Sequence, residues 1–363
     1  MPAPDPPRLV VLTGLPGPSG GTVYNTRLAR EWTVDPVELT GPWPRPAAAD
    51  LARLRQALCS GPRRVPVLVD GMLACAAPAV VREAVDDGRS VWVLVHLPLP
   101  AEGGLDAAER DRLGACERAA LGAATGVVTT SDWAAADLLR RYGRTGVVVA
   151  EPGTDPAPRA TGSTPPCLLT VASFTPRKNH RLLVDALAEV ADLTWTAHWV
   201  GAISEHDTTA QLRRELASAG LSERVHLRGP LTGSAMRAVW DRADLLLLPS
   251  WAETYGMVVS EALAWGLPAL VPADTAAQQT LTGADRHTEP AGAVLDPGSP
   301  QQWAEAVHRW LTDADLRDRW RTRAAGRADE LPAWSDTAAH LRHEIQRSES
   351  THELSPRASR QAG

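Results

Sequence analysis

At 363 residues the chain is long enough for two or three domains with cores of their own, and 44% hydrophobic with 22% charged residues is a globular composition. A net charge of −6 excludes a general electrostatic affinity for nucleic acid or an anionic membrane surface, so any phosphate recognition has to be local. No run reaches the ~18 apolar residues of a membrane span, Met1-Pro2-Ala3-Pro4 does not open a signal peptide, and Cys59, Cys75, Cys116 and Cys167 lack both CxxC spacing and a histidine cluster for zinc. A cytoplasmic protein with reduced, mostly buried thiols and neither metal nor cofactor is expected.

In chain order, Leu9-Val10-Val11-Leu12-Thr13 predicts a strand, followed by a glycine-rich turn ending in Gly20-Gly21 and a helix to about Trp32. Such a turn can bring backbone amides against a ligand, although it is not G-x-G-x-x-G and a plain strand-to-helix connection reads equally well. Val65 to Asp70 is the next strand, closing in Asp70-Gly71, which reads as a strand-end turn with acceptor contact as the alternative. Val91 to Val95 is a strand that delivers His96 to its carboxyl end, where open α/β sheets place ligands. Gly126 to Thr129 is a strand leading to a helix capped by Ser131 or Asp132, and Gly146 to Ala150 is the last of this half. The composition then turns to Pro, Gly, Thr and Ser, which marks a linker over 153–166 between a first domain (1–152) and a second (167–325).

The second half opens with a strand, Cys167 to Ser173, and a turn carrying Arg177-Lys178 before an apolar-periodic helix from Leu182. A basic pair at such a turn can neutralise a diphosphate leaving group. Trp195 to Gly201 is a strand, Gln211 to Ala219 a helix, and Arg224 to Leu231 a further strand and turn, in which Arg228 is free to flank a base or to face solvent. Four leucines, Leu245 to Leu248, then form a strand buried on both faces, followed by a loop with Glu253, a helix over about 257–265 with Glu261 on its second turn, and the strand Ala269 to Val271. The two carboxylates can face one cleft, and the amides of Tyr255, Gly256, Met257 and Val258 between them form a helix N-terminus suited to phosphate. Beyond a helix from Gln301 to Leu311, Asp313-Ala314-Asp315 sits at a helix start and is read as a cap, not a metal site. A final helix ends near Gln346, and the polar residues 348–363 are expected to be disordered.

The string P-S-x-x-E-x-x-G-x-x-x-x-E-A-x-A-x-G-x-P over Pro249 to Pro268, with seven residues between Glu253 and Glu261, resembles the signature of the retaining family-4 glycosyltransferases. The resemblance implies a GT-B fold, two facing Rossmann-like, doubly wound parallel-sheet domains with a cleft between them, and C-terminal helices (326–347) crossing back to the first domain. It implies that Glu253 approaches the transferred sugar, Glu261 the donor ribose, and Lys178 and Arg177 the diphosphate. Gly20 and Gly21 would line the cleft, His96 would contact the donor sugar, and the Arg228 to Leu231 loop would back the base. Two positions depart from the family pattern: Ala172-Ser173 stands where many relatives carry Gly-Arg, and Pro272-Ala273-Asp274 where many carry a glycine-rich turn and a Glu.

The expected enzyme is a hexosyltransferase (EC 2.4) that moves a sugar from a UDP- or GDP-linked donor with retention and without metal. Front-face attack is expected because no carboxylate is evidently placed as a nucleophile. The acceptor is expected to be a small molecule or glycan more than a lipid, since the helix after Gly20-Gly21 carries only Arg27 and Arg30 as basic residues. A GT-B nucleotide-sugar epimerase, or a partner protein that binds donor without turning it over, are the alternatives.

Overall fold

The computed structural model describes residues 6–15, 17–203, 206–283 and 289–354, excepting the side chains of 206, 207 and 351–354. The first half alternates strands and helices: β1 (Arg8–Leu12), α1 (Gly20–Trp32), β2 (Val37–Leu39), α2 (Ala48–Cys59), β3 (Val67–Asp70), α3 (Gly71–Cys75), α4 (Pro78–Asp86), β4 (Val91–Val95), α5 (Ala107–Ala123), β5 (Gly126–Thr129), α6 (Asp132–Tyr142) and β6 (Val148–Val149). The second continues with β7 (Cys167–Val171), α7 (His180–Ala188), β8 (Thr196–Val200), α8 (His206–Ser218), β9 (Val225–Arg228), α9 (Gly233–Arg242), β10 (Leu245–Leu247), α10 (Met257–Ala264), β11 (Ala269–Pro272), α11 (Ala276–Thr282) and β12 (Gly292–Leu295). Three helices close it: α12 (Pro300–Thr312), α13 (Ala314–Ala328) and α14 (Trp334–Leu354).

These strands form two six-stranded sheets, ordered β2-β1-β3-β4-β5-β6 and β12-β11-β10-β7-β8-β9, with every recorded pairing parallel. Both faces are covered, as the unbroken apolar strands require. In the first sheet Val67, Val69, Val91 and Val93 pack under α2, α4 and α5. Their alternates Leu68, Trp92 and Leu94 pack under α1 and α14. The C-terminal helix therefore supplies half of the second layer of the first lobe: Trp334, Ala338, Leu341 and Ile345 join Tyr24, Leu28 and Trp32 in one cluster. The second sheet is sandwiched likewise between α7, α8 and α12 on one face and α9, α10 and α11 on the other. Trp92, Trp195, Trp199, Trp303 and Trp310 are all fully buried, so tryptophan fills the role phenylalanine has in most cores.

Several boundaries differ from the sequence reading. The last helix does not end near Gln346 but continues to Leu354, past the point at which a disordered tail was expected. Its extra turn is held by Glu349, whose carboxylate accepts from Ser90 Oγ (2.6 Å) and Trp92 Nε1 (3.2 Å); residues 355–363 lie outside the described residues. Helix α8 begins at His206 rather than Gln211, because its first turn is polar and carries no apolar period. Asp70 ends no simple turn, since its Oδ1 caps α3 at Met72 N (2.8 Å). Ser131, not Asp132, caps α6, accepting from Ala134 N at 3.0 Å. All four cysteines are free, but only Cys75 and Cys167 are buried, with Cys116 half-buried and Cys59 exposed.

Candidate functional site

In each sheet the strand order reverses once, between β1 and β3 in the first and between β7 and β10 in the second. At such a switch point successive loops leave in opposite directions and open a crevice at the carboxyl ends of the strands. The two crevices face each other, and the residues singled out from the sequence fall around them.

On the second lobe, the 3₁₀ turn Pro176–Lys178 follows β7 and the loop 249–256 follows β10. They are laced together: Trp251 N donates to Arg177 O (2.9 Å), Arg177 Nη1 donates to Ala252 O (3.1 Å), and Asn179 Nδ2 donates to Pro249 O (3.2 Å). This sets Lys178 Nζ 2.5 Å from Glu253 Oε1, with both side chains nearly buried. Burial pulls the Lys178 ammonium below its ordinary value, with Arg177 adding to the fall and Glu253 opposing it. Burial pushes Glu253 up, but Lys178 and Arg177 outweigh it and hold the carboxyl below the usual range. The pair stays in register because its loops are the two loops of the switch point.

Gly256, at φ +83°, turns the loop into α10, a conformation that side chains with a Cβ rarely adopt. Among the described residues no side chain caps α10, which leaves the amides of its first turn available to a ligand. Met257 Sδ lies 3.5 Å from where a Cβ on Gly20 would stand, which brings the glycine-rich turn over this helix end. Tyr255 is buried and its hydroxyl is pushed up by burial, so it packs within the lobe and offers the cleft only its backbone. Glu261 sits one turn into α10, half-buried, and among the described residues its carboxylate has no hydrogen-bond partner. Burial raises its carboxyl to about 7, helped by Asp155 and opposed by Arg27.

On the first lobe, His96 follows β4. Its Nε2 donates to Asn25 Oδ1 (3.0 Å), Asn25 Nδ2 donates to Asp70 Oδ2 (2.7 Å), and the ring packs edge-on to Tyr24 at 5.3 Å. With Asn25 committed as acceptor, the proton belongs on Nε2 and Nδ1 is the free lone pair. Burial lowers the imidazole from 6.5, with Asp70 partly opposing. A Cβ on Gly21 would meet His96 Cδ2 at 2.9 Å, so only glycine allows α1 to approach this ring. Asn25 was not assigned to a site from the sequence, and Asp70 was read chiefly as a strand-end turn; each is an ordinary polar residue whose contact with His96 appears only when α1, β3 and β4 come together.

The lobes touch at the same place. Thr254 Oγ1 donates to His96 O, while Thr130 Oγ1 (3.0 Å) and Ser131 Oγ (2.6 Å) donate to Thr254 O. Arg177 Nε pairs with Glu102 across the cleft at 3.2 Å. Arg27 of α1 pairs with Asp155 of the connecting segment. Arg228 is exposed at the end of β9, on the far edge strand, and Leu231 is half-buried against the core of its own lobe. Between them Pro230 approaches the Gly17 side of the glycine-rich turn. Ala172 and Ser173, at the end of β7, bring no cation to the cleft. Among the described residues no group of three or more His, Cys, Asp or Glu could hold a metal ion, and no helix is long and apolar enough to cross a membrane.

Residues 153–327 match the family described as Glycosyl transferases group 1. Among curated proteins, the D-inositol 3-phosphate glycosyltransferase of Salinispora tropica is 36% identical over 128 residues, which is 35% of this chain and 25% of that protein. The protein of the same name from Kineococcus radiotolerans is 30% identical over 251 residues, covering 61% of this chain and 57% of the relative. The chain thus spans from a quarter to just over half of the length of these two relatives. Among solved structures, sucrose-phosphate synthase of Thermosynechococcus elongatus superposes with a TM-score of 0.76 at 18% identity, covering 96% of this chain and 100% of the other. Anabaena Alr3699/HepE in complex with UDP and glucose gives 0.74 at 17% identity, covering 93% and 99%. The two parallel sheets and these fold neighbours give the chain a GT-B fold, and its residues 153–327 match the glycosyl transferases group 1 family.

Proposed function

We propose that the protein is a retaining glycosyltransferase that moves a hexose-type sugar from a nucleoside-diphosphate donor, UDP-linked in the first instance, to an acceptor held on the first lobe. The observation that carries this reading is the Lys178–Glu253 pair beside the uncapped N-terminus of α10, opposite His96. A cation and free helix amides together suit a diphosphate that gains charge as it departs. A carboxylate and an imidazole lone pair suit the hydroxyls of the sugar. Support for a UDP donor comes from Alr3699/HepE, a fold neighbour in complex with UDP and glucose.

In this reaction the acceptor oxygen bonds to the anomeric carbon on the face from which the diphosphate leaves, the carbon–oxygen bond to the β-phosphate breaks, and the acceptor proton passes to the departing diphosphate. Lys178 and the amides at 256–258 stabilise that group. Arg177 contributes from behind, through Glu102 and the 252 carbonyl it already holds. Glu253 and His96 fix the sugar, and Glu261 accepts from the ribose hydroxyls. The 229–231 turn backs the base.

Thermal unfolding with UDP, GDP, ADP and their common sugar conjugates tests the donor site. At about one hundred times its Kd a ligand stabilises by about 2.7 kcal/mol, a shift of a few degrees for a chain of this size. One nucleotide family is expected to shift wild type and not Glu261→Ala. No shift with any of them would refute the donor assignment.

A further inference from the structure

A cavity of about 280 Å³ opens at the carboxyl end of β1, between the start of α1 and the edge strand β2, at the low end of small-molecule sites. It shares Asn25 with His96, which places it against the face of the cleft where an acceptor must stand if the donor lies over α10. Its polar lining is Thr13, Thr22, Asn25, Thr26 and Glu38, and none of the described lining residues is Lys, Arg or His. At the N-terminus of α1 a capping box already occupies two of the amides an anion would use: Ser19 Oγ accepts from Thr22 N (3.2 Å) and Thr22 Oγ1 accepts from Ser19 N (2.8 Å). Arg27, next along from Thr26, is committed to Asp155. Helix α10, by contrast, has no side-chain cap and starts beside Lys178.

We propose that this cavity is the acceptor subsite and that it takes an uncharged or amine-bearing polyol and rejects a phosphorylated one, with Glu38 as the discriminating charge. Hydroxyls and one carboxylate hydrogen-bond neutral or cationic polyols, whereas a phosphate brought here meets a like charge and no cation. The cavity lies wholly outside residues 153–327, the part of the chain that matches the glycosyl transferases group 1 family. The inference rests on the transferase reading above.

The test is UDP release from UDP-glucose with matched acceptor pairs, myo-inositol against D-inositol 3-phosphate and glucose against glucose 6-phosphate, together with glucosamine. UDP binding is followed separately by thermal shift. Wild type is expected to prefer the uncharged member of each pair by roughly tenfold, the size of one partly screened charge contact. Glu38→Lys, and independently Thr26→Arg, both at exposed positions, are expected to reverse that preference without altering UDP binding. Preference of wild type for the phosphorylated members, an unchanged ratio in both variants, or intact UDP binding with no acceptor used would each overturn the proposal. Loss of UDP binding in wild type would instead refute the transferase reading and the inference with it.

Discussion

With Glu261 holding the donor ribose as proposed, donor binding is expected to depend on pH. Burial lifts its carboxyl to about 7 in the free protein, with Asp155 raising it further and Arg27 opposing. A ribose hydroxyl that donates to this group favours its charged form, so binding expels a proton and affinity rises with pH until the carboxyl is ionised. With a value of about 7, roughly 3% of the free protein is ionised at pH 5.5 and roughly 90% at pH 8. The ratio is about thirtyfold in Kd, which the partial exposure of Glu261 reduces to roughly tenfold. The assay is calorimetry at pH 5.5, 6.5, 7.5 and 8 with UDP-glucose, whose diphosphate lacks the second ionisation near pH 6 of a terminal phosphate. Buffers of different ionisation enthalpy count the protons released. Any contribution from His96 or Lys178 persists in Glu261→Gln, which isolates that of Glu261. Equal affinity at pH 5.5 and 8 in wild type, or the same slope in Glu261→Gln, would refute the reasoning.

The same residue predicts a stability effect of opposite use. Its folded value lies above its unfolded one, so the native state binds the extra proton between about pH 4.5 and 7 and loses stability as pH rises through that window. Glu261→Gln should therefore unfold at a higher temperature than wild type at pH 8, by about 1–2 kcal/mol after allowance for exposure, and equally at pH 4. Lys178→Ala removes the cation bonded to Glu253 and leaves that buried carboxylate with only the more distant cation, Arg177 at 4.0 Å; kcat should fall by about 10²–10³, and Glu253→Gln in the same protein should restore melting temperature but not turnover. Gly21→Ala forces a methyl to within 2.9 Å of the His96 ring, and should cost about 1–3 kcal/mol in urea unfolding together with most activity. Asn25→Ala removes the partner of His96 Nε2 and of Asp70 Oδ2; a loss of about 1–3 kcal/mol with a changed His96 titration by NMR is expected, and an unchanged titration would mean that Asn25 does not fix the ring.

The fold was legible because its strands are buried on both faces and its helices are not. Runs such as Val91 to Val95 and Leu245 to Leu247 have no reading other than central parallel strands, and Gly, Pro and Asx residues punctuate them. The C-terminal part of the cleft was legible too, since Lys178, Glu253 and Glu261 each lie within a few residues of the strand or helix end that positions them. Helix α14 was cut short for the converse reason: its last turns are polar, and what holds them is Glu349 against Ser90 and Trp92, more than 250 residues earlier.

Sequence by itself thus determined the alternating βα plan, the two sheets and the local chemistry of the second lobe, because these follow from period, capping and turn residues over short stretches. Tertiary structure alone decided that Lys178 and Glu253, 75 residues apart, form a buried pair, that Asn25 ties His96 to Asp70, and that Glu38 is the charge in the cavity beside them. Each of these depends on which strands become neighbours where the sheet order reverses. That order is fixed by the packing of helices on both faces, and no short stretch of the chain contains it.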